Sequence, residues 1–475
     1  MKLNLLGGVE GRSTDVSPEQ CINLYYEKGE SGASLVNTAG STEFVDLGNG
    51  EVRGGIEYNS LAWFVAGATL YSVTSGGVAT SRGTLNTSSG RVSMAHNGTR
   101  TTGNQQIFIA DGTQRYIYDN TTSTLTGYTD YAANHVVYID GYFIFSITGR
   151  DIFYNTTQYD GVTVGALDFE TAEGDPDVIS TLIADQRQLQ VFGPLSMSSW
   201  YNSGDADNLF QRYQGGFKQT GTAAGFSPAR IDNTICWLSQ NDRGDAQVVQ
   251  LGDGYLPRVI SSPELDYQLA QYTTISDAFG YAYQHEGHEF YVLNFPTEKR
   301  VWAYDASTQR WHQRAHNIGG VFPNRERYNC HVFAFGKHLF GDFNNGKIYE
   351  LDSTVGTIAG TRVERTVVTP NIDEEDRIRI SRVHLDMQEG TGDPNDSTDT
   401  AIWLSYSKDG GHTYGNEISS DIGDAGEYTK RAIWRKLGWG RSWIFKIRTW
   451  TPNRVILKSL NVRPYGVSPD QNRGR

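Results

Sequence analysis

Three groups of residues in this chain have types and spacings that could do chemistry. Glu170, Glu173, Asp175 and Asp177 crowd one segment, and Asp373, Glu374, Glu375 and Asp376 another. Paired carboxylates are what glycoside hydrolysis needs, one as acid and one as base or nucleophile. Solvated acidic turns give the same pattern, and sequence carries no carboxylate separation. The 10 histidines form no HExxH, and His285 and His288 have no third ligand nearby, so no metal site is read. Neither a Gly-x-Ser-x-Gly elbow nor a P-loop occurs. The third group is basic: Lys430 to Arg463 holds ten Lys/Arg and no Asp or Glu, interleaved with Trp434, Trp439, Trp443 and Trp450. Such a stretch could stack on single-stranded nucleic acid or anchor a protein interface, or it could be core tryptophans under a solvated face. Removing those ten charges from the net −13 leaves −23 on the rest of the chain. An acidic body opposes wrapping by nucleic acid. A protein interface is therefore preferred, with Arg435, Lys436, Arg441, Lys446 and Arg448 as its residues. No catalytic, cofactor-binding or metal-ligating residue is assigned.

One further motif is a turn. Ser407-Lys408-Asp409-Gly410-Gly411-His412-Thr413-Tyr414 fits the Asp-box pattern S-x-D-x-G-x-T-[W/Y]. Its physical content is a hairpin in which Asp accepts backbone N–H groups and glycines adopt φ > 0. Sialidases carry several such boxes, so a sialidase-like or carbohydrate-binding protein is the alternative reading. A single copy is read as structural, through Ser407, Asp409, Gly411, Thr413 and Tyr414.

The elements that must position these residues are strands. Aromatics make up 12% of 475 residues, charged residues only 20%, and there are 53 glycines, a composition suited to strands and tight turns. Seven times an aromatic or apolar strand ends in a short polar turn, anchored at Thr74, Asp119, Asn155, Asn202, Gly252, Asp305 and Asp352. The gaps are 45, 36, 47, 50, 53 and 47 residues. A loose period in the forties filled with short strands predicts a β-propeller of about seven blades, with six as the alternative. Asp140-Gly141, Glu286-Gly287 and Asn345-Gly346 between apolar runs predict hairpins. The expected organisation is an extended segment over 1–50, a propeller over 51–358, an antiparallel β-sandwich over 359–465 and a tail over 466–475. The run Ser41 to Gly48 is placed to supply a missing outer strand to the last blade. The period-four and period-three spacing of Leu265, Leu269 and Tyr272 predicts one short helix between Pro263 and Ser276. Alternation in the sandwich points Trp443, Phe445 and Ile447 inward and Lys446 and Arg448 outward. Cys21, Cys236 and Cys330 are too far apart for a disulfide framework and read as buried thiols. No apolar run is long enough for a membrane span or a signal peptide.

Both ends carry a family resemblance. Ser17 to Tyr25, Thr38-Ala39-Gly40 with Phe44, Glu51-Val52-Arg53-Gly54 and the mid-chain run Trp302 to His312 resemble the signature of packaged-DNA stabilisation, or tail hub, proteins of short-tailed phages. Ser407 to Glu417 and Trp434-Arg435-Lys436-Leu437-Gly438 resemble the C-terminal domain of that family. Ala39 stands where the family's turn has Pro. The resemblance implies a non-enzymatic virion component assembled in the host bacterial cytoplasm. It implies a six-membered ring under the portal–adaptor complex that retains the genome and attaches tail fibres or spikes and a needle or knob. DNA would pass through without sequence-specific binding, and no cofactor or membrane insertion is implied.

Overall fold

A computed structural model describes residues 1–30, 32–98, 105–172, 177–205, 208–240, 244–389, 401–424 and 426–468; Glu173 and Asp175 of the first acidic cluster lie outside them. The fold is all-β, with one α-helix and one 3-10 turn among the described residues. Seven antiparallel four-stranded meanders follow one another, over 52–84, 93–128, 133–171, 181–218, 229–259, 279–314 and 328–352. The last has only three strands of its own, and Gly40–Asp46 pairs with Lys347–Asp352 as its fourth. Six of the seven stand as discrete sheets, the lower of the two expected counts. The meander over 279–314 runs on into a larger sheet, because Ile22 pairs in parallel with Gln313 at its outer strand. First strands of most neighbouring units lie side by side, and Val52–Tyr58 touches Tyr328–Ala334 to close the ring.

The seven anchors mark the ends of the third strands: Thr74 and Gly252 directly follow one, and Asp119, Asn155, Asn202, Asp305 and Asp352 are last residues of theirs. A second repeat lies between strands one and two, where two-residue turns hold both residues at positive φ: Asn59-Ser60, Asp140-Gly141, Gln186-Arg187, Glu286-Gly287 and Phe335-Gly336. This backbone twist matches that of the flanking strands, which is why the geometry recurs even without glycine. The Asn345-Gly346 connection is longer, spanning the four residues between Asp342 and Lys347. Aromatics fill the wedges between blades: Trp63 lies against Tyr118, Phe108 against Phe143, Phe153 against Trp200, and Phe192 against Trp237, at centroid distances of 4.8, 5.5, 5.3 and 5.1 Å. Trp63 and Trp237 are wholly buried, and truncating either would cost roughly 3–5 kcal/mol.

The helix is the short one expected, about two turns long. It covers Pro263–Leu269, capped by Ser262, whose hydroxyl accepts the Leu265 amide, with Leu265 and Leu269 buried. It stops because Glu298 takes the Thr273 and Thr274 amides, offering the chain another partner.

The second unit centres on three long strands, Ile372–Met387, Ala432–Thr449 and Ile456–Ser468. Trp443, Phe445 and Ile447 point into its core with Ile380, Val383, Leu385, Leu404 and Leu460. The segment over 1–50 does more than extend. Lys2–Asn4 and the hairpin Leu24–Gly29/Gly32–Asn37 lengthen the sandwich sheet, and Gln20–Ile22 bridges sandwich and propeller. Leu5, Cys21, Leu24 and Leu35 belong to the sandwich core. Nothing local in their sequence says which distant core receives them. At Gly40 the chain passes so close to the Val355 and Thr357 carbonyls that a Cβ would lie 2.4 and 2.5 Å from them.

Candidate interaction sites

Asn23 ties the two units together. It is fully buried, with φ 58°. Its Nδ2 donates to the Ala315 carbonyl of the propeller and the Glu364 carbonyl of the sandwich, both at 2.7 Å, and its Oδ1 accepts the Ala315 amide at 2.9 Å. Beside this staple is a cleft of about 400 Å³, lined by Glu10 and Gln20, Gln268, Arg300 and Trp302, and Glu364, Lys446 and Arg448.

Lys446 and Arg448 therefore do not project outward as alternation alone predicted. The sixth meander and the N-terminal segment lie over that face of the sandwich. Arg448 Nε donates to Glu364 Oε1 at 2.8 Å and Nη1 to Glu417 Oε1 at 2.5 Å, so its acidic partners are intramolecular. Lys446 sits partly buried over the Tyr414 ring at 5.4 Å. Burial first, then Arg448, push its ammonium down, while Glu417, Glu364 and Glu10 oppose them.

The remaining basic residues lie on the open face of the sandwich. Arg382 pairs directly with Arg435 on one neighbouring strand and with Arg463 on the other. All three are exposed, and none forms an ion pair among the described residues. A register shift between Ile380 and Arg382 keeps Arg379 and Arg382 outward on either side of buried Ile380. Arg379 opposes Trp439, which is 37% exposed. Lys436 and Arg441 are exposed nearby, Lys436 at positive φ. Like charges directly opposite across strands destabilise a sheet. This arginine rung escapes sequence reasoning because it depends on the register of three strands, one of them bulged.

The Asp box forms the expected hairpin. Ser407 Oγ donates to Asp409 Oδ1 at 2.6 Å, and the Thr413 amide and hydroxyl donate to Asp409 at 2.9 and 2.5 Å. Gly410 and Gly411 have φ 71° and 89°. The Ser407 bond, then the Thr413 bonds, hold the Asp409 carboxyl well below the usual range. Thr14 and Asp15 pack over the two glycines. The three cysteines are buried and free; burial pushes Cys21 up to about 12 and Cys330 to about 11, which leaves them unreactive thiols. No helix among the described residues is long and apolar enough to cross a membrane.

Comparison with known proteins adds to this geometry. Among solved structures, the chain is similar to PorZ, a surface component of the type-IX secretion system of Porphyromonas gingivalis, at 12% identity and TM-score 0.39 over 70% of this chain and 42% of that one. It is also similar to the extracellular domain of a proposed one-component system from B. thetaiotaomicron, at 10% identity and TM-score 0.45 over 82% of this chain and 49% of that one. The chain thus spans under half the length of either. No curated protein matches. Residues 1–356 match the family described as bacteriophage P22 Gp10, beta-propeller, and residues 364–464 match bacteriophage P22 Gp10, beta-sandwich. With both architectures matched in order along nearly its whole length, the chain belongs to the P22 Gp10 family of packaged-DNA stabilisation, or tail hub, proteins of short-tailed phages, and is a structural protein of the phage tail.

Proposed function

We propose that this tail protein acts as a ring-forming hub. Six copies dock beneath the portal–adaptor complex after packaging, help retain the genome, and present attachment points for fibres or spikes and for a needle or knob. Assembly takes place in the host bacterial cytoplasm, and DNA passes through without sequence-specific contact. The action is binding rather than catalysis.

The observation that carries this reading is the Arg435–Arg382–Arg463 rung. Three like charges in register weaken an isolated sheet, and covering them with an acidic surface removes the repulsion. The chain outside 430–463 carries −23, so a neighbouring copy has the right sign. Lys436 and Arg441 flank the rung and extend the same surface. A propeller, with its sheet edges protected by the ring, is a suitable rigid part for such an assembly.

The test combines Arg382→Glu with Arg435→Glu. The variant should fold with unchanged or raised melting temperature, yet fail to form rings or to join tails in electron micrographs. Rings and tails indistinguishable from wild type would remove the rung from the interface. A wild-type protein that is neither ring-shaped nor located at the head–tail junction would overturn the hub itself.

A further inference from the structure

The propeller axis holds positive charge apart from the arginine rung of the sandwich. Arg91, just before the strand Ser93–His96, crosses toward the far side of the ring. Its guanidinium lies 3.8 Å from the centre of the Phe279 ring and 5.4 Å from that of Phe226. Arg91 Nη1 donates to Asn329 Oδ1 at 3.3 Å, and Arg325 Nη2 donates to the same oxygen at 3.3 Å. Asn329 is held in place by its own Nδ2, which donates to the Val52 carbonyl at 2.8 Å. One neutral oxygen thus serves two cations, both at long distance; Arg325 adds a 3.4 Å bond from Nε to the Glu326 carbonyl and lies 4.3 Å from the centre of the Phe343 ring. Arg325 is 9% exposed and Asn329 6%.

Among the described residues neither guanidinium has a carboxylate in ion-pair contact, and Arg91 Nε is buried without a hydrogen-bond partner. Glu51, whose charge reaches both, accepts the Gly90 amide at 3.0 Å instead. His135, 5% exposed and within reach of the Arg91 charge, packs tilted against Phe226, its ring centre 4.4 Å from that of Phe226. Its Nδ1 meets the Thr181 hydroxyl at 3.2 Å, while Nε2 has no partner. When Thr181 donates to Nδ1, the ring proton sits on Nε2, free to donate. Burial pushes both guanidiniums down to about 10 and holds His135 neutral, down to about 3.

Cations withdrawn from water are normally paired, and here Arg325 is nine-tenths buried while Arg91 is partly buried with its Nε shut off from solvent. Guanidinium forks match the oxygens of phosphate-like anions, and aromatic walls that exclude water strengthen the contact. We infer that the propeller axis binds a small oxyanion of the phosphate or sulfate class between Arg91 and Arg325, with His135 Nε2–H as a third donor.

The test is calorimetric titration of the full-length protein with inorganic phosphate, in a buffer whose only other anion is a bulky sulfonate. Saturable binding is expected, together with a melting temperature that rises with phosphate. Arg91→Gln and Arg325→Gln should each weaken binding about tenfold or more, the loss of one charge-assisted contact. Arg325→Gln should also melt no lower than wild type without phosphate, since an uncompensated charge is gone; a purely structural arginine would lower it. Absence of saturable heat and of any melting shift in the wild type overturns the site, as does unchanged affinity in both variants.

Discussion

Replacing Asn23 with Ala should loosen the joint between propeller and sandwich, and the size of the effect follows from three hydrogen bonds. The side chain serves the Ala315 carbonyl, the Glu364 carbonyl and the Ala315 amide, in a site that is wholly buried. Truncation leaves these three backbone groups without partners, each costing roughly 1–3 kcal/mol, and partial relaxation brings the sum to about 4 kcal/mol. The backbone there has φ 58°, which Asn tolerates better than Ala, adding about 1 kcal/mol. Asn23→Ala should therefore lose about 5 kcal/mol, and Asn23→Gly, without the φ cost, should recover about 1 kcal/mol of that. Asn23→Asp keeps the acceptor but sets a carboxylate against two carbonyls, and should be the least stable of the three. Urea unfolding followed by tryptophan fluorescence and far-UV circular dichroism measures the series. With two units joined, the readout is whether their transitions, expected to coincide in the wild type, separate in the variants. A loss below about 1.5 kcal/mol for Asn23→Ala, less than one orphaned group and the φ cost together, would refute the staple.

Three other outcomes can be checked. The folded pKa values of His135, His316 and His312 lie below the ordinary 6.5, at about 3, about 4 and well below, chiefly through burial. The unfolded chain therefore binds more protons below pH 6.5, so stability is full above that value and falls as pH drops, by up to about 2 kcal/mol for each group at pH 5. His288, raised by its bond to Asp305, has the opposite sign and stabilises below 6.5; a melting temperature flat from pH 8 to 5 would contradict the net fall. Gly40→Val places side-chain atoms against the Val355 and Thr357 carbonyls, and should displace Gly40–Asp46 and expose the seventh meander to proteolysis; wild-type protease resistance would contradict this. Deleting residues 1–48 removes that strand and the sandwich strands before it, and should leave no soluble folded protein; unchanged melting behaviour would contradict the pairing.

What could be read in the sequence was local. The third strands show because each ends in a turn residue, and Asp140-Gly141 and Glu286-Gly287 announce their turns through glycine. Gln186-Arg187 and Phe335-Gly336 adopt the same geometry, but Gln, Arg and Phe carry no signal for it; the strands they join impose it. The inward positions of Trp443, Phe445 and Ile447 followed from alternation, whereas the fate of Arg448 did not, because Glu364 and Glu417 come from elsewhere in the fold. Arg435 was singled out for its charge, yet its partners across the sheet, Arg382 and Arg463, were visible only once register was known.

The strand Gly40–Asp46 has a consequence for how the protein is made. Its partner Lys347–Asp352 is translated some three hundred residues later, and the hairpin strand Gly32–Asn37 waits longer still for Ile456–Ser468. On the ribosome the first five blades can stack as they emerge, but the ring stays open, and Gly40–Asp46 and the outer edge of the N-terminal hairpin lack their partners until the chain is almost complete. The sandwich draws strands from both ends of the chain with the whole propeller between them, so a premature stop before the last long strand leaves its N-terminal strands without a sheet to join.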